Sequence, residues 1–437
     1  MVEITSNYSE EIILNKNLTE FLNVYKELED YEVNLLPLCA AENISSYFTK
    51  LPQISFLQEK YLLGGVIKYK EDGNFCGSNK LYNIYDLFSK QCQKMFHCSY
   101  ADARTLSGLN AVTTLLMSLF KISDKIMITS EEYGGHSSMK IIANRLGLTT
   151  IEIPFNYENN DFDYPKMNKI LENEKISGIL ITLSDIIEHP NLKKINLKKE
   201  ILIYDVTQIL GLIATNYIDN PLDWYSENEN VILIGATHKT IPGPTCGLIL
   251  TKNEILAQKI DLKINPDYLR NVQLNNIVSL LFSLYELESF GKEYFKVMKN
   301  IILKLTYLLE NKGIKVIRTR NGDISKTHQM WLVINTLDLK ELEKRAYSLG
   351  ISFNIRHKKI YQSKGVRLGL QQIARYNWGD DAVEKISNII YLLTQKNFNC
   401  KKIKNIIDSL PKKTIHFTFD NQTIESFFTI LHNCDRK

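Results

Sequence analysis

Four short segments of the 437-residue chain carry side chains whose type and placement suit covalent chemistry, and each lies where an apolar run meets a turn. In Asn230-Val-Ile-Leu-Ile-Gly-Ala-Thr237-His238-Lys239-Thr240-Ile-Pro-Gly243-Pro244, a run with the character of a buried strand delivers Thr237, His238 and Lys239 to its carboxyl end. An amine in such a crevice has its pKa lowered and can condense with a carbonyl, whereas a lysine on an ordinary loop stays solvated. The run Glu200-Ile-Leu-Ile-Tyr-Asp205 ends in a carboxylate that needs a cationic or N–H partner if buried, or that caps the next turn if not. Thr105-Leu-Ser107-Gly108-Leu109 opens an apolar helix, so its N–H groups and hydroxyl suit a phosphate, or Ser107 is an ordinary N-cap. Glu132-Tyr-Gly134-Gly135-His136 places an imidazole after two glycines, where it can approach a flat ring or stand exposed on a turn.

The elements that must position these groups are legible as pattern. Apolar runs at 125–129, 149–153, 178–182, 200–204, 231–234 and 247–251 alternate with helical segments, as in a mainly parallel α/β sheet buried on both faces. A helical stretch over 18–28 belongs to an N-terminal arm, residues 1–40. Apolar positions at helical spacing (Val272, Ile277, Leu280, Leu281, Leu284, Leu287) predict one or two long helices leaving the sheet. Strands at 330–335, 351–354 and 365–370 and helices at 337–349 and 380–395 then describe a small α+β domain. The expected division is an arm (1–40), a large domain (41–290) and a small C-terminal domain (291–437).

Composition narrows the function. With 44% apolar residues the chain can bury a large core, and Lys+Arg 53 against Asp+Glu 49, interspersed, gives no reason to expect a nucleic-acid partner. No secretory signal and no run of ~18 apolar residues is present, so a cytoplasmic protein without a membrane partner is expected. The seven cysteines (Cys39, Cys76, Cys92, Cys98, Cys246, Cys400, Cys434) lack ligand spacing and read as reduced thiols, with no metal site expected.

In this order the segments resemble the fold-type I pyridoxal 5'-phosphate (PLP) enzymes, above all the serine hydroxymethyltransferases. That family has Ser-Gly before a helix, then Gly-Gly-His, Asp-x-x-His-Ile-x-Gly-Leu, and Thr-His-Lys-Thr followed by Gly-Pro-x-Gly-Gly. Here the text is Ser107-Gly108, Gly134-Gly135-His136, Asp205-Val-Thr-Gln208-Ile-Leu-Gly211-Leu212, and Thr237-His238-Lys239-Thr240 followed by Gly243-Pro244-Thr245-Cys246-Gly247. Ala41-Glu42-Asn43-Ile-Ser-Ser resembles the family's Ser-Glu-Asn-Phe-x-Ser, and Gly365-Val-Arg367-Leu-Gly369 its Ser-Gly-Ile-Arg-x-Gly. The likeness runs from about 35 to 395. It implies a seven-stranded-type, mainly parallel sheet flanked by helices. Lys239 is then the cofactor anchor, Asp205 the partner of the pyridine nitrogen and His136 the stacking ring. Ser107, Gly108 and Leu109 hold the phosphate, and His238 lies beside the anchor. Arg367 grips the substrate carboxylate through a fork that suits it better than lysine, and Glu42 is the acid/base group. Gly243 and Gly247 belong to a loop that reaches the phosphate of a neighbouring subunit, which implies a homodimer with shared sites.

The departures fall at substrate positions. Gln208 stands where the family has histidine; it keeps hydrogen bonding but cannot titrate near neutral pH. The Tyr-Tyr-Gly-Gly segment is not recognisable in 68–82, although Tyr69, Tyr82 and Tyr85 remain, Tyr69 being the substrate-side candidate. The Asn-Thr-x-Pro stretch of the family's folate pocket appears as Asn354-Ile-Arg-His357, which argues against tetrahydrofolate without excluding it. The leading expectation is therefore making or breaking the Cα–Cβ bond of a small β-hydroxy amino acid of the glycine, serine or threonine type. The alternatives are an aminotransferase or other Cα–H enzyme on the same scaffold, and a non-catalytic paralogue, against which Lys239, Asp205 and Arg367 speak.

Overall fold

In the computed structural model, which describes residues 16–67 and 77–433, seven strands form the larger sheet. They are β1 (Tyr100–Thr105), β2 (Lys125–Ile128), β3 (Thr149–Glu152), β4 (Gly178–Thr182), β5 (Ile201–Asp205), β6 (Val231–Ala236) and β7 (Gly247–Thr251), in the order β1-β7-β6-β5-β4-β2-β3. β7 runs against both neighbours and every other pairing is parallel. Successive residues of a strand face opposite sides of a sheet. Leu202, Tyr204, Leu233 and Leu248 accordingly join one apolar cluster, and Ile203, Ile232, Ile234 and Ile249 join the other. Both faces are covered, and unbroken apolar runs are what two covered faces require.

β1 is the strand that hydropathy does not mark. Its Asp102 and Arg104 are fully buried and paired, and Arg104 also reaches Asp261 at 2.9 Å. The charges satisfy each other inside the sheet, so the segment is a strand in spite of its polar text.

Helix α1 (Lys16–Asn34) leads to Leu36–Pro37, which pairs in parallel with Ile351–Ser352. Helix α2 (Gly108–Leu119) buries Ala111, Val112, Leu115 and Leu116 against the sheet. Of the one or two long helices expected here there is one, α3 (Leu274–Asn311), 38 residues or about 57 Å at 1.5 Å per residue. Beyond it, β8 (Lys315–Val316), β9 (Gln329–Val333), β10 (Asn354–Arg356) and β11 (Gly365–Gly369) form an antiparallel sheet in the order β8-β9-β11-β10. Its helices are α4 (Leu339–Ser348), ended at Gly350 with φ 64°, and α5 (Asp380–Thr394). The tail after 397 folds back rather than trailing: Phe419 and Phe427 pack on Phe48 with ring centroids 4.6 and 5.3 Å apart, and Arg375 donates to the Phe417 carbonyl at 2.9 Å. Among the described residues no helix is long and apolar enough to cross a membrane.

Candidate active site

The carboxyl ends of parallel strands are where an open α/β sheet binds ligands, and the chemically competent residues collect there. Asp205 ends β5, Thr237 to Lys239 follow β6, His136 follows β2, and Ser107 follows β1. Gly247 begins β7, which runs the other way and so lies at the same edge.

Burial pulls the Lys239 ammonium down to about 8; Asp205 opposes the fall and Arg367 adds to it. The backbone of Lys239 is held by Asn43, whose Nδ2 donates to its carbonyl at 2.5 Å and to Tyr294 Oη of α3 at 3.1 Å. Burial raises the Asp205 carboxyl, while Thr207, Lys239 and His136 favour its charged form. One Asp205 oxygen accepts from Thr207 N at 2.8 Å, and among the described residues Asp205 forms no ion pair. His136 Nδ1 accepts from Ser138 N at 3.2 Å, so the neutral ring carries its proton on Nε2. Burial lowers its pKa, with Asp205 opposing and Lys239 and Lys358 assisting. Burial also takes His238 down to about 4, and its Nδ1 is buried without a partner.

Ser107 is the N-cap of α2: its Oγ accepts from Asn110 N at 3.2 Å, and Asn110 Oδ1 accepts from Leu106 N at 3.0 Å. The amides of Gly108 and Leu109, the first two of the helix, have no carbonyl to meet within it. A Cβ on Gly108 would stand 3.1 Å from Ala236 Cβ, and one on Gly247 would run into Thr105 Oγ1 and the Ser107 carbonyl. The glycines thus let the N-terminus of α2 come down onto the ends of β6 and β7, leaving a shallow cradle lined by N–H groups.

The residue expected to meet substrate, Arg367, comes from the smaller sheet. Arg367 of β11 lies opposite Asn354 of β10 in register and gives both Nε (3.1 Å) and Nη2 (2.7 Å) to Asn354 Oδ1. Its Nη1 donates to Ser184 O at 2.6 Å and lies 3.3 Å from Asp185 Oδ1. Gln208 accepts from Gln329 Nε2 at 3.0 Å, and that nitrogen also donates to Ser184 O at 2.9 Å.

Asp185 is the residue that sequence reasoning missed. Fully buried, it accepts from Arg356 Nε at 2.9 Å, Lys358 Nζ at 2.8 Å and Tyr361 Oη at 2.9 Å besides Arg367. Burial opposes its ionisation, but Arg367, Lys358 and Arg356 outweigh that and hold the carboxyl at about 2. Its signal was available: Ser184-Asp185 follows the apolar run 178–182 as Asp205 closes its own run.

Two expected residues, Glu42 and Gly243, are not gathered with the rest. The Glu42 side chain is exposed and unpaired among the described residues; its backbone carbonyl accepts from Gln371 Nε2. Gly243 turns onto its own chain, donating to Thr237 O at 3.2 Å and accepting from Ser45 Oγ at 3.3 Å. Tyr69 lies outside the described residues, and Tyr82 is a core residue donating to Leu63 O at 2.7 Å.

This fold, with a buried lysine and carboxylate at the strand ends, is that of a fold-type I PLP-dependent enzyme. The solved L-threonine transaldolase from Pseudomonas fluorescens shares the fold, with a TM-score of 0.86 over 96% of this chain and 98% of that one at 21% identity. A family model described as serine hydroxymethyltransferase matches residues 14–390, and the chain belongs to that family. Relatives bearing that name include those of Archaeoglobus fulgidus, 26% identical over 90% of this chain and 91% of the relative, and Methanobrevibacter smithii, 27% identical over 92% and 95%. The chain is accordingly a PLP-dependent transferase of the serine hydroxymethyltransferase family.

Proposed function

We propose that the protein is an aldolase or transaldolase that cleaves or forms the Cα–Cβ bond of a small β-hydroxy amino acid, with glycine as product or donor, and that it works without tetrahydrofolate. The observation that carries the reading is the buried Lys239 and Asp205, neither ion-paired among the described residues, with Arg367 near enough to act on the lysine and His136 on the carboxylate. A raised carboxyl without a cation suits a pyridinium N–H, and the glycine-lined cradle and the unpartnered His238 Nδ1 suit an anionic, polar group, so the residues present fit PLP.

In this reading Lys239 anchors the cofactor, Asp205 meets its ring nitrogen and His136 covers its face. Ser107, Gly108, Leu109 and Gly247 receive the phosphate, and Gln208 and His238 line the ring. When bound, PLP supplies an electron sink for the pair left by a broken Cα bond. Arg367 orients the substrate carboxylate, which selects the bond that breaks; its Nε and Nη2 leave Asn354 to do so. Glu42 takes the β-hydroxyl proton. Two copies share their sites through the Gly243 loop, the domains divide as 1–40, 41–290 and 291–437, and the protein acts in the cytoplasm.

The test is a panel of β-hydroxy amino acids given to the holoenzyme, scored for aldehyde and for keto acid, with and without tetrahydrofolate. Aldehyde and glycine are expected in both conditions. Keto acid without aldehyde would assign an aminotransferase instead, and aldehyde only with folate would restore the folate-dependent reaction.

A further inference from the structure

The substrate side holds more positive charge than one carboxylate needs. Around Asp185 stand Arg356, Lys358 and Arg367, three cations against one anion. An α-carboxylate brings the balance to three against two. Two of the three cations have donors to spare among the described residues: Lys358 donates only to Asp185, and Arg356 uses Nε on Asp185 and Nη1 on the Ile355 carbonyl at 3.1 Å, leaving Nη2 free. The Arg356 and Lys358 side chains remain 21% and 16% exposed, against 5% for Arg367, so both keep contact with solvent.

The placement puts this charge beside the reacting centre rather than on a remote surface. Ser184 N and Asp185 N both donate to Gly134 O, at 2.8 and 3.2 Å, which ties the Asp185 loop to the loop carrying His136. Lys358 is near enough to His136 to disfavour the protonated imidazole, and Asp185 near enough to Lys239 to favour its ammonium. Glu42 and Glu131 are exposed, and neither pairs with these cations among the described residues.

We propose that Arg356 and Lys358 form a second anion subsite, and that the aldehyde this enzyme joins to or releases from glycine carries a carboxylate or phosphate of its own. The inference rests on the aldol reading above and names its substrate class. In the forming direction Cα gives up a proton, the Cα–Cβ bond forms and the carbonyl oxygen takes up a proton, so nothing is oxidised or reduced. The second anion sits on the aldehyde fragment, where the spare donors of Arg356 Nη2 and Lys358 Nζ meet it with charge-assisted hydrogen bonds.

The experiment compares cleavage of threonine and 3-phenylserine with 3-hydroxyaspartate, 3-hydroxyglutamate and O-phosphorylated 4-hydroxythreonine on the holoenzyme. At least a ten-fold higher kcat/KM for one anionic class is expected, and the carboxylate and phosphate arms decide which. In Arg356→Gln and Lys358→Gln the ratio of anionic to neutral turnover is expected to fall at least ten-fold. Neutral substrates equal to or better than the anionic ones would overturn the subsite and leave the aldol reading standing. Should no substrate yield aldehyde, the aldol reading falls, and calorimetry decides the subsite separately. Succinate binding at least ten-fold tighter than acetate, and weakened in Arg356→Gln, supports it; equal binding of the two overturns it.

Discussion

In the proposed reading the free base of Lys239 is the reagent on which the site depends, and burial makes that base available. With the ammonium at about 8, roughly one-tenth of the chains carry a neutral amine at pH 7, against about three in ten thousand for an unperturbed lysine. Below 8 the amine is mostly protonated, without a lone pair to offer; above it the amine is mostly free. Loading of apoprotein with PLP, followed by absorbance in stopped flow, is expected to accelerate with pH and level off above about 8. Asp205 favours the charged lysine, so Asp205→Asn should move the rise to lower pH while weakening retention of the cofactor. A rise near the ordinary lysine value would mean that another amine is the anchor, as would a borohydride-fixed label that persists in Lys239→Ala.

At the scale of elements, the site is a set of strand ends, and how far it could be read depended on what each strand buries. The strands carrying Asp205 and Lys239 are apolar on both faces, so hydropathy marks them and the polar residue at their end stands out. The text Ser107-Gly108 marked the start of α2 in the same way. β1 was not legible, because Asp102 and Arg104 neutralise each other inside the sheet and hydropathy counts them as surface. Asp185 was missed for a related reason: its place after an apolar run marks a strand end, but its partners Arg356, Lys358 and Arg367 lie more than 170 residues away and nothing local announces their contact. The buried pair in β1 makes its own prediction. Arg104→Met leaves Asp102 and Asp261 buried without their shared cation and should cost about 3–5 kcal/mol, read as a lower urea midpoint. Tyr100→Phe, which removes one hydroxyl bonded to Asp102 at 2.7 Å, should cost about 1 kcal/mol. Similar losses in the two variants would mean that the buried charges are hydrated in solution.

Across the whole molecule, one apolar cluster runs through both sheets, and polar links join them at the strand ends. Ser184, Asp185 and Gln208 come from the larger sheet's strand ends, and Gln329, Arg356, Lys358 and Arg367 from the smaller sheet and its loops. On the far side, α3 staples both parts to the N-terminal segment: buried Glu286 accepts from Ser46 Oγ at 2.6 Å and Arg375 Nη2 at 2.7 Å. The apolar side chains of the core are indifferent to pH, but the Asp185 clasp is not. Its carboxyl lies below its ordinary value in the folded protein, so the stabilisation is complete above the usual carboxylate range and is lost as pH falls towards about 2. A carboxyl moved from near 4 to about 2 corresponds to about 2–3 kcal/mol at neutral pH. Asp185→Asn removes that contribution and leaves three cations facing one another, so its deficit in urea unfolding at pH 7 should exceed this figure. The deficit should shrink between pH 4 and pH 2, where the wild-type carboxyl takes up its proton and the two proteins become alike. A deficit that stayed constant across that interval would mean that Asp185 holds the sheets together by shape and hydrogen bonding rather than by charge.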